Sequence, residues 1–476
     1  MQIEYAWGVF VAVSLSRGST PGPPTAEEID IVKSLVLKYW DRLRSSFWFI
    51  PTLMAGGAVA LAFTTVALDE MEAVNDWLES QGWAYAGGAE GASVMLGTIA
   101  SSMITIAGVV FSMTLVALSL ASSQLGPRLL RIFMRDKSNQ MVLGTFIATF
   151  VYCLLVLRTI RRADEVAFVP HLSVTFGVFF ALGSLGVLIY FIHHVSVSIQ
   201  ADEVIARVGR ELIQGIDRLF PQHMDRPVVR SASVASSASL PDEFDREARP
   251  VASGGDGYLQ YIDADALMKL ATEQKLLLRL EKRPGQYVAM GCPLLTVWPG
   301  DRATRELEAA ANAIFILGDQ RTAAQDLEFA ILQLVEIAVR ALSPGINDPF
   351  TAISCVDRLG SALRRLAQRE MPSPNRYDDQ GQLRVIAPGI TFEAAVDAAF
   401  GQIRHHARSS AAVTIRLLET IAMVAEVARE PQDRAALHRH AEMIARGARE
   451  ALPEQWDRQA VEERYLAIMR PLGHMR

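Results

Sequence analysis

Four uncharged, apolar runs occupy the first part of the chain, and the remainder is patterned for water. The runs are Phe47 to Leu68, Gly91 to Pro127, Gln140 to Leu157 and Val166 to Gln200. A membrane-crossing helix needs about 20 apolar residues, so each run predicts one span, together filling residues 46–200. Pro51 falls in the first turns of the first span, where a missing amide donor costs little. The second run is too long for a simple crossing. At about 1.5 Å per residue it reaches roughly 55 Å, against a hydrocarbon core of about 30 Å. It must tilt, break near Gly97 or Gly108, or project beyond the membrane.

The second run is also the only one with a polar stripe. Thr98, Thr105, Ser112 and Ser119 recur at intervals of seven, close to two helical turns, so their hydroxyls form a nearly straight line. Ser101, Gly108 and Ser122 flank it on one side, Ser102 and Ser123 on the other. Roughly opposite lie Ile99, Ile106, Met113 and Leu120, with Met103 and Val110 beside them. Such a face lines a water path or makes a tight contact with other helices. In the second case Ala100, Ala107 and Ala121 extend the contact surface.

Outside the spans the pattern changes repeatedly. Residues 1–24 read as a disordered leader ending in a Gly/Ser/Thr/Pro cluster. Residues 25–45 read as an amphipathic interfacial helix, opened by Thr25 with Glu28 in a capping-box spacing and made basic by Lys33, Lys38, Arg42 and Arg44. After the fourth span the helix continues through Arg207 and Arg210 towards Phe220, so 201–256 reads as a helix extension followed by a Ser- and Pro-rich linker. Residues 257–300 predict a small β-module. Gly257 to Ile262 and Leu276 to Leu280 are strands on either side of a short helix capped by Asp263, and Gly-marked turns follow from Arg283. The module resembles half of a lipoyl- or biotinyl-type barrel, but no lysine stands at an attachment position. Residues 301–476 predict a helical domain, with Leu327, Ile331, Leu334, Ile337 and Leu342 at core spacing.

The most distinctive soluble segment is Ala341-Leu-Ser-Pro-Gly-Ile-Asn-Asp-Pro-Phe350. Pro344 and Gly345 end one helix. Asn347 or Asp348 then caps the next, with Pro349 in its first turn. That accounts for Ser343, Pro344, Gly345, Asn347, Asp348 and Pro349 without a ligand. The functional alternative is that Asn347 and Asp348 hold a cation or a neighbouring subunit's helix.

Charge refines this picture. The chain is 50% hydrophobic and 21% charged with a net charge of −6, which suits a membrane protein with a large soluble part and argues against nucleic-acid binding. The loop after the first span is acidic (Asp69, Glu70, Glu72, Asp76, Glu79 and Glu90). The loop after the second is basic (Arg128, Arg131, Arg135 and Lys137). The positive-inside rule therefore places both termini in the cytoplasm, with Arg158, Arg161 and Arg162 as a partial conflict.

Cys153, Cys292 and Cys355 are isolated and suggest neither a disulfide framework nor a zinc site. There is no Gly-rich phosphate loop, HExxH or GxSxG, so no enzyme, metal or cofactor is expected. The adjacent His405 and His406 are poorly placed to act as ligands. His438 and His440, two apart on a helix, point apart and read as surface residues. His193 and His194 read as interface anchors.

Four spans, a small β-module and a helical domain carrying Ala-Leu-Ser-Pro-Gly-Ile-Asn-Asp-Pro resemble the bacterial domain-of-unknown-function family 2254 of predicted membrane proteins. The likeness runs from about Arg44 and includes Phe111 to Leu125 and Phe400-Gly-Gln-Ile-Arg404. It implies a bacterial cytoplasmic membrane and no settled activity. The expected fold is a mainly α membrane protein: four transmembrane helices followed by a cytoplasmic α+β region. The leading functional expectation is a homo-oligomeric pore, an ion channel for inorganic ions. Its lining would be Thr98, Ser101, Ser102, Thr105, Gly108, Ser112, Ser119 and Ser122, and the soluble part would be a regulatory or assembly domain. The alternative is a non-conducting scaffold or sensor whose stripe packs helices.

Overall fold

A computed structural model describes residues 47–71, 88–126, 136–161, 168–198, 200–220, 241 and 243–473. The leader, the amphipathic segment 25–45 and most of the linker lie outside the described residues. The chain divides into two compact units, one of residues 1–115 with 131–192, the other of 116–130 with 193–476.

Four helices carry the apolar runs: α1 (Phe49–Asp69), α2 (Ala89–Leu125), α3 (Lys137–Thr159) and α4 (His171–Ser198), each long and apolar enough to cross a membrane. In hydrocarbon the backbone has no water to bond, so even the Thr-, Val- and Gly-rich α2 is held helical. It runs unbroken through Gly97 and Gly108.

Within the first unit the spans alternate in direction. Trp48, just before α1, lies 6.1 Å (ring centroids) from Phe111, late in α2. A Cβ on Gly144, early in α3, would fall 3.2 Å from the Pro51 Cα, so α1 and α3 start together and approach closely. Tyr190, late in α4, donates to Ser138 Oγ at the start of α3.

The second unit begins with α5 (Ala201–Leu219), an amphipathic helix burying Val204, Ile205, Val208, Leu212 and Ile216. Asp202 and Glu203 in its first turn suit the positive end of its dipole. After the short α6 (Phe244–Glu247), residues 249–318 interleave strands and helices. These are β1 (Arg249–Ala252), β2 (Gly257–Ile262), α7 (Ala264–Glu273), β3 (Leu277–Leu280), β4 (Tyr287–Val288), β5 (Pro293–Trp298), α8 (Arg305–Ile314) and β6 (Phe315–Gly318). Then come α9 (Leu327–Ala341), α10 (Pro349–Leu366), β7 (Asn375–Tyr377), β8 (Leu383–Ile386), α11 (Phe392–Ala407), α12 (Ala411–Ala425), α13 (Pro431–Ala451) and α14 (Gln455–Gly473).

The strands form two sheets, ordered β1-β5-β3-β8-β7 and β4-β2-β6. Neighbours are antiparallel except β3 and β8. Leu259, Leu278, Leu295 and Val297 join Leu267 and Ala311 of the adjoining helices in one core.

The fold class matches the sequence expectation: mainly helical, four apolar helices, then small sheets and further helices. One reading is corrected. The region after Asp301 is not helical throughout, since β6, β7 and β8 lie in it. These strands span only three or four residues, too few for a period-two pattern to stand out. Each gains its identity from a distant partner, β6 from β2 and β8 from β3.

Candidate functional site

Two sets of hydroxyl groups occupy the spans, and they are used differently. The first set bonds between helices. Asp69 ends α1 with its side chain 1% exposed, and it accepts from Leu172 N (2.7 Å), Ser173 N (3.0 Å) and Ser173 Oγ (2.6 Å), covering amides at the start of α4. The Tyr152 hydroxyl lies 3.0 Å from Thr65 Oγ1 and donates to the Ser173 carbonyl at 3.1 Å, linking α1, α3 and α4. Thr149 of α3 and Ser184 of α4 are 3.2 Å apart.

The second set is the stripe on α2. Thr98, Ser101, Ser102, Thr105, Gly108, Ser112 and Ser119 are all exposed, and Ser122 is half-buried. Thr98 donates to Val94 O, Ser101 to Thr98 O and Thr105 to Ser101 O, each within its own helix. Among the described residues none of the stripe hydroxyls bonds to another span. The buried seam of α2 is instead Ala92, Leu96, Ala100, Met103, Ala107 and Val110. By the 3.6-residue repeat that seam lies on the far side of the helix from Thr98, Thr105 and Ser112. Ala100 and Ala107 therefore serve contacts within the chain and do not extend the hydroxyl face. Of the apolar line expected opposite the stripe, Met103 and Val110 are buried, Ile99 and Ile106 half-buried, and Met113 and Leu120 exposed. Val94, Val109 and Val116 are exposed among the hydroxyls, so the face mixes hydroxyl and apolar groups.

The charged residues flanking the stripe are only partly described. Glu70 and Glu90 are exposed. Asp69, read from sequence as part of the acidic loop, is a buried helix cap. Lys137 is exposed, next to Asp136, whose carboxylate accepts from Ser138 N at 2.9 Å to cap α3. Glu72, Asp76, Glu79, Arg128, Arg131 and Arg135 lie outside the described residues.

In the second unit, the turn between α9 and α10 is built as its residue types suggest. Asn347 takes the left-handed φ of 50°, and its amide donates to Ser343 O. Asp348 is the cap of α10: Oδ1 accepts from Phe350 N and Thr351 N, and Oδ2 from Thr351 Oγ1 at 2.6 Å. The Thr351 hydroxyl and these two amides hold its carboxyl below the usual carboxylate range. Pro349 occupies the first turn, and Ile346 (45%) and Phe350 (79%) stand exposed.

One residue before α9 ends, Arg340 Nη1 donates to Ser122 O (2.7 Å) and Ser123 O (3.0 Å), covering carbonyls at the C-terminus of α2. Gly126 follows that terminus with φ 117°, and a Cβ there would fall 2.6 Å from Glu336 Oε1.

Two further groups depart from or extend the sequence reading. His440, read as a surface residue, is 1% exposed and packs edge-on against Phe400, with Nε2 2.7 Å from Asp397 Oδ1. The two histidines do diverge, but one of the diverging directions is the α11 interface. Burial lowers His440 below the ordinary imidazole range against the raising effect of Asp397. Burial opposes ionisation of Asp397, yet hydrogen bonds from His440 and Arg439 hold it low. Burial, with the charges of Asp202 and Asp348, pushes the Cys355 thiol up and leaves it unreactive.

A family model described as predicted membrane protein (DUF2254) matches residues 44–423. Uncharacterized proteins of Mycobacterium tuberculosis strain H37Rv (Rv1290c) and of Mycobacterium bovis (Mb1321c) are each 32% identical over 427 residues, covering 88% of this chain and 80% of theirs. No solved structure matches the chain.

Proposed function

The chain belongs to the DUF2254 family of predicted membrane proteins, and from that premise we propose that copies of it assemble around the outward-facing hydroxyl stripe of α2 to form an ion-conducting pore. One observation carries the reading. Thr65, Thr149, Tyr152, Ser173 and Ser184 of α1, α3 and α4 bond across helices, whereas the stripe hydroxyls of α2 point away from the seam that packs that helix. A single stripe encloses no water, but a ring of three or more copies does. In the proposed assembly Thr98, Ser101, Ser102, Thr105 and Ser112 line the path. The termini are cytoplasmic, the membrane is the bacterial cytoplasmic membrane, and the second unit regulates or assembles the ring.

A competing reading is a non-conducting scaffold whose copies pack through the same face without water. The back-bonded hydroxyls of Thr98, Ser101 and Thr105 favour it, since they need no outside partner.

Reconstitution into planar bilayers with single-channel recording separates the two. The pore reading expects unitary currents that Thr105→Leu blocks, and that Thr105→Asp and Ser112→Asp shift towards cation selectivity. Absence of current under every voltage, pH and tension overturns it. Conductance unchanged in all three variants moves the path off α2.

A further inference from the structure

Within the second unit, two helix pairings fix the direction in which the turn between α9 and α10 points. Glu336 lies against Gly126, and one turn later Arg340 reaches Ser122 and Ser123. The α9 helix therefore runs antiparallel to the end of α2, and the turn that follows it points back towards Val116. The second pairing is parallel. Asp202 acts on Cys355, Gly209 abuts Arg358, and Asp217 binds Arg365 and Arg369, so α5 and α10 run side by side in the same direction. The Pro349 end of α10 thus lies beside the Ala201 end of α5, with two residues between it and the end of α4. The turn lies towards the residues at which α2 and α4 each pass into this unit.

The side chains at that end share one character. Val116 and Leu120 of α2 and Val197 of α4 are exposed, as are Ile346 and Phe350. Val116 precedes Ser122 by about 9 Å along the helix, the direction in which the turn points. The amides of Ser343, Ile346, Asn347 and Asp348 bond within the turn or to the end of α9, and Asp348 caps α10, so the hydrogen bonding of the turn does not call for apolar side chains pointing outward.

We propose that Ile346 and Phe350 rest in the interfacial layer of the same bilayer that α2 and α4 cross, making this turn a lipid contact of the soluble unit. An aromatic ring and a branched aliphatic chain on a rigid, capped turn suit the headgroup–acyl boundary. The proposal requires only that α2 and α4 span a bilayer, and stands whether or not the hydroxyl stripe faces water.

Nitroxide labelling of the full chain in phosphatidylethanolamine/phosphatidylglycerol vesicles tests it. Phe350→Cys is made in a Cys292→Ser background, in which the remaining native cysteines are buried. Trp456→Cys, an exposed site on α14, serves as the aqueous control. Collision rates with lipid-soluble oxygen and with a water-soluble nickel chelate are compared. The expected result is an oxygen-to-chelate ratio several-fold higher at position 350 than at position 456. Equal ratios overturn the proposal. Exclusion of both reagents, with spin broadening relieved by diluting labelled with unlabelled protein, also overturns it and assigns the turn to a contact between copies. Ile346→Cys repeats the measurement if the first variant does not fold, and must give the same ordering.

Discussion

The stripe hydroxyls of α2 and the bridging hydroxyls of the other three spans are chemically alike and structurally opposite. Thr65, Tyr152 and Ser173 reach across helix boundaries in a chain that ends in the carboxylate of Asp69, and Thr149 pairs separately with Ser184. Thr98, Ser101 and Thr105 bond only to the preceding turn of their own helix. A hydroxyl in a membrane helix is inexpensive when it bonds backwards, so its presence alone says little. Its direction relative to the buried seam carries the information. In this protein the inward set joins the spans to one another, and among the described residues the outward set does not.

The largest expected effect falls on the inward set. Asp69→Ala leaves the Leu172 and Ser173 donors buried without their carboxylate, and should cost about 3 kcal/mol or more, measured by denaturant unfolding in detergent micelles. A loss below about 1 kcal/mol would mean that the cap is as weakly coupled as a surface pair, and the contrast between the two sets would fail.

A matched pair sharpens it. Tyr152→Phe should cost about 1 kcal/mol, in the range of interhelical hydrogen bonds in membranes. Thr105→Val should stay within about 0.5 kcal/mol, as surface substitutions do. Equal losses would place Thr105 inside the subunit.

The smallest effect extends the comparison into the second unit, where the buried His440 pairs with the exposed Asp397. His440 titrates below its unfolded value of about 6.5. Above that value neither state binds the proton. As pH falls below it, the unfolded chain takes up a proton that the folded one refuses, and stability declines. Asp397 is also lowered, which for a carboxylate adds stability that is lost only as pH falls through its depressed folded value. Unfolding midpoints measured between pH 7 and pH 5 should fall for the wild type and flatten for His440→Gln.

Much of this was legible in the residues. Four long apolar runs define four spans, and Asp263 and Asp348 each cap a helix that their sequence context suggests. The stripe on α2 was also readable, because seven-residue spacing writes it along one helix. The inward network was not. Thr65 and Tyr152 are single polar residues in apolar runs, and their significance lies in partners on other helices. The buried side of α2 was legible only in part: Met103 and Val110 of the apolar line lie in it, but Ala100 and Ala107 pack because they are small enough to let a neighbour approach, which hydropathy does not register. His440 was misjudged by its type, since only contact with Phe400 and Asp397 marks it as interior.

Asp69 also bears on how the protein is made. It closes the first span to be synthesised, yet the amides it receives belong to the fourth. During insertion its carboxylate must wait, hydrated at the membrane edge, while two further spans are threaded. Completion of the bundle is thereby tied to arrival of the last span, and a chain cut short before His171 carries a first span with no burial site for its terminal charge.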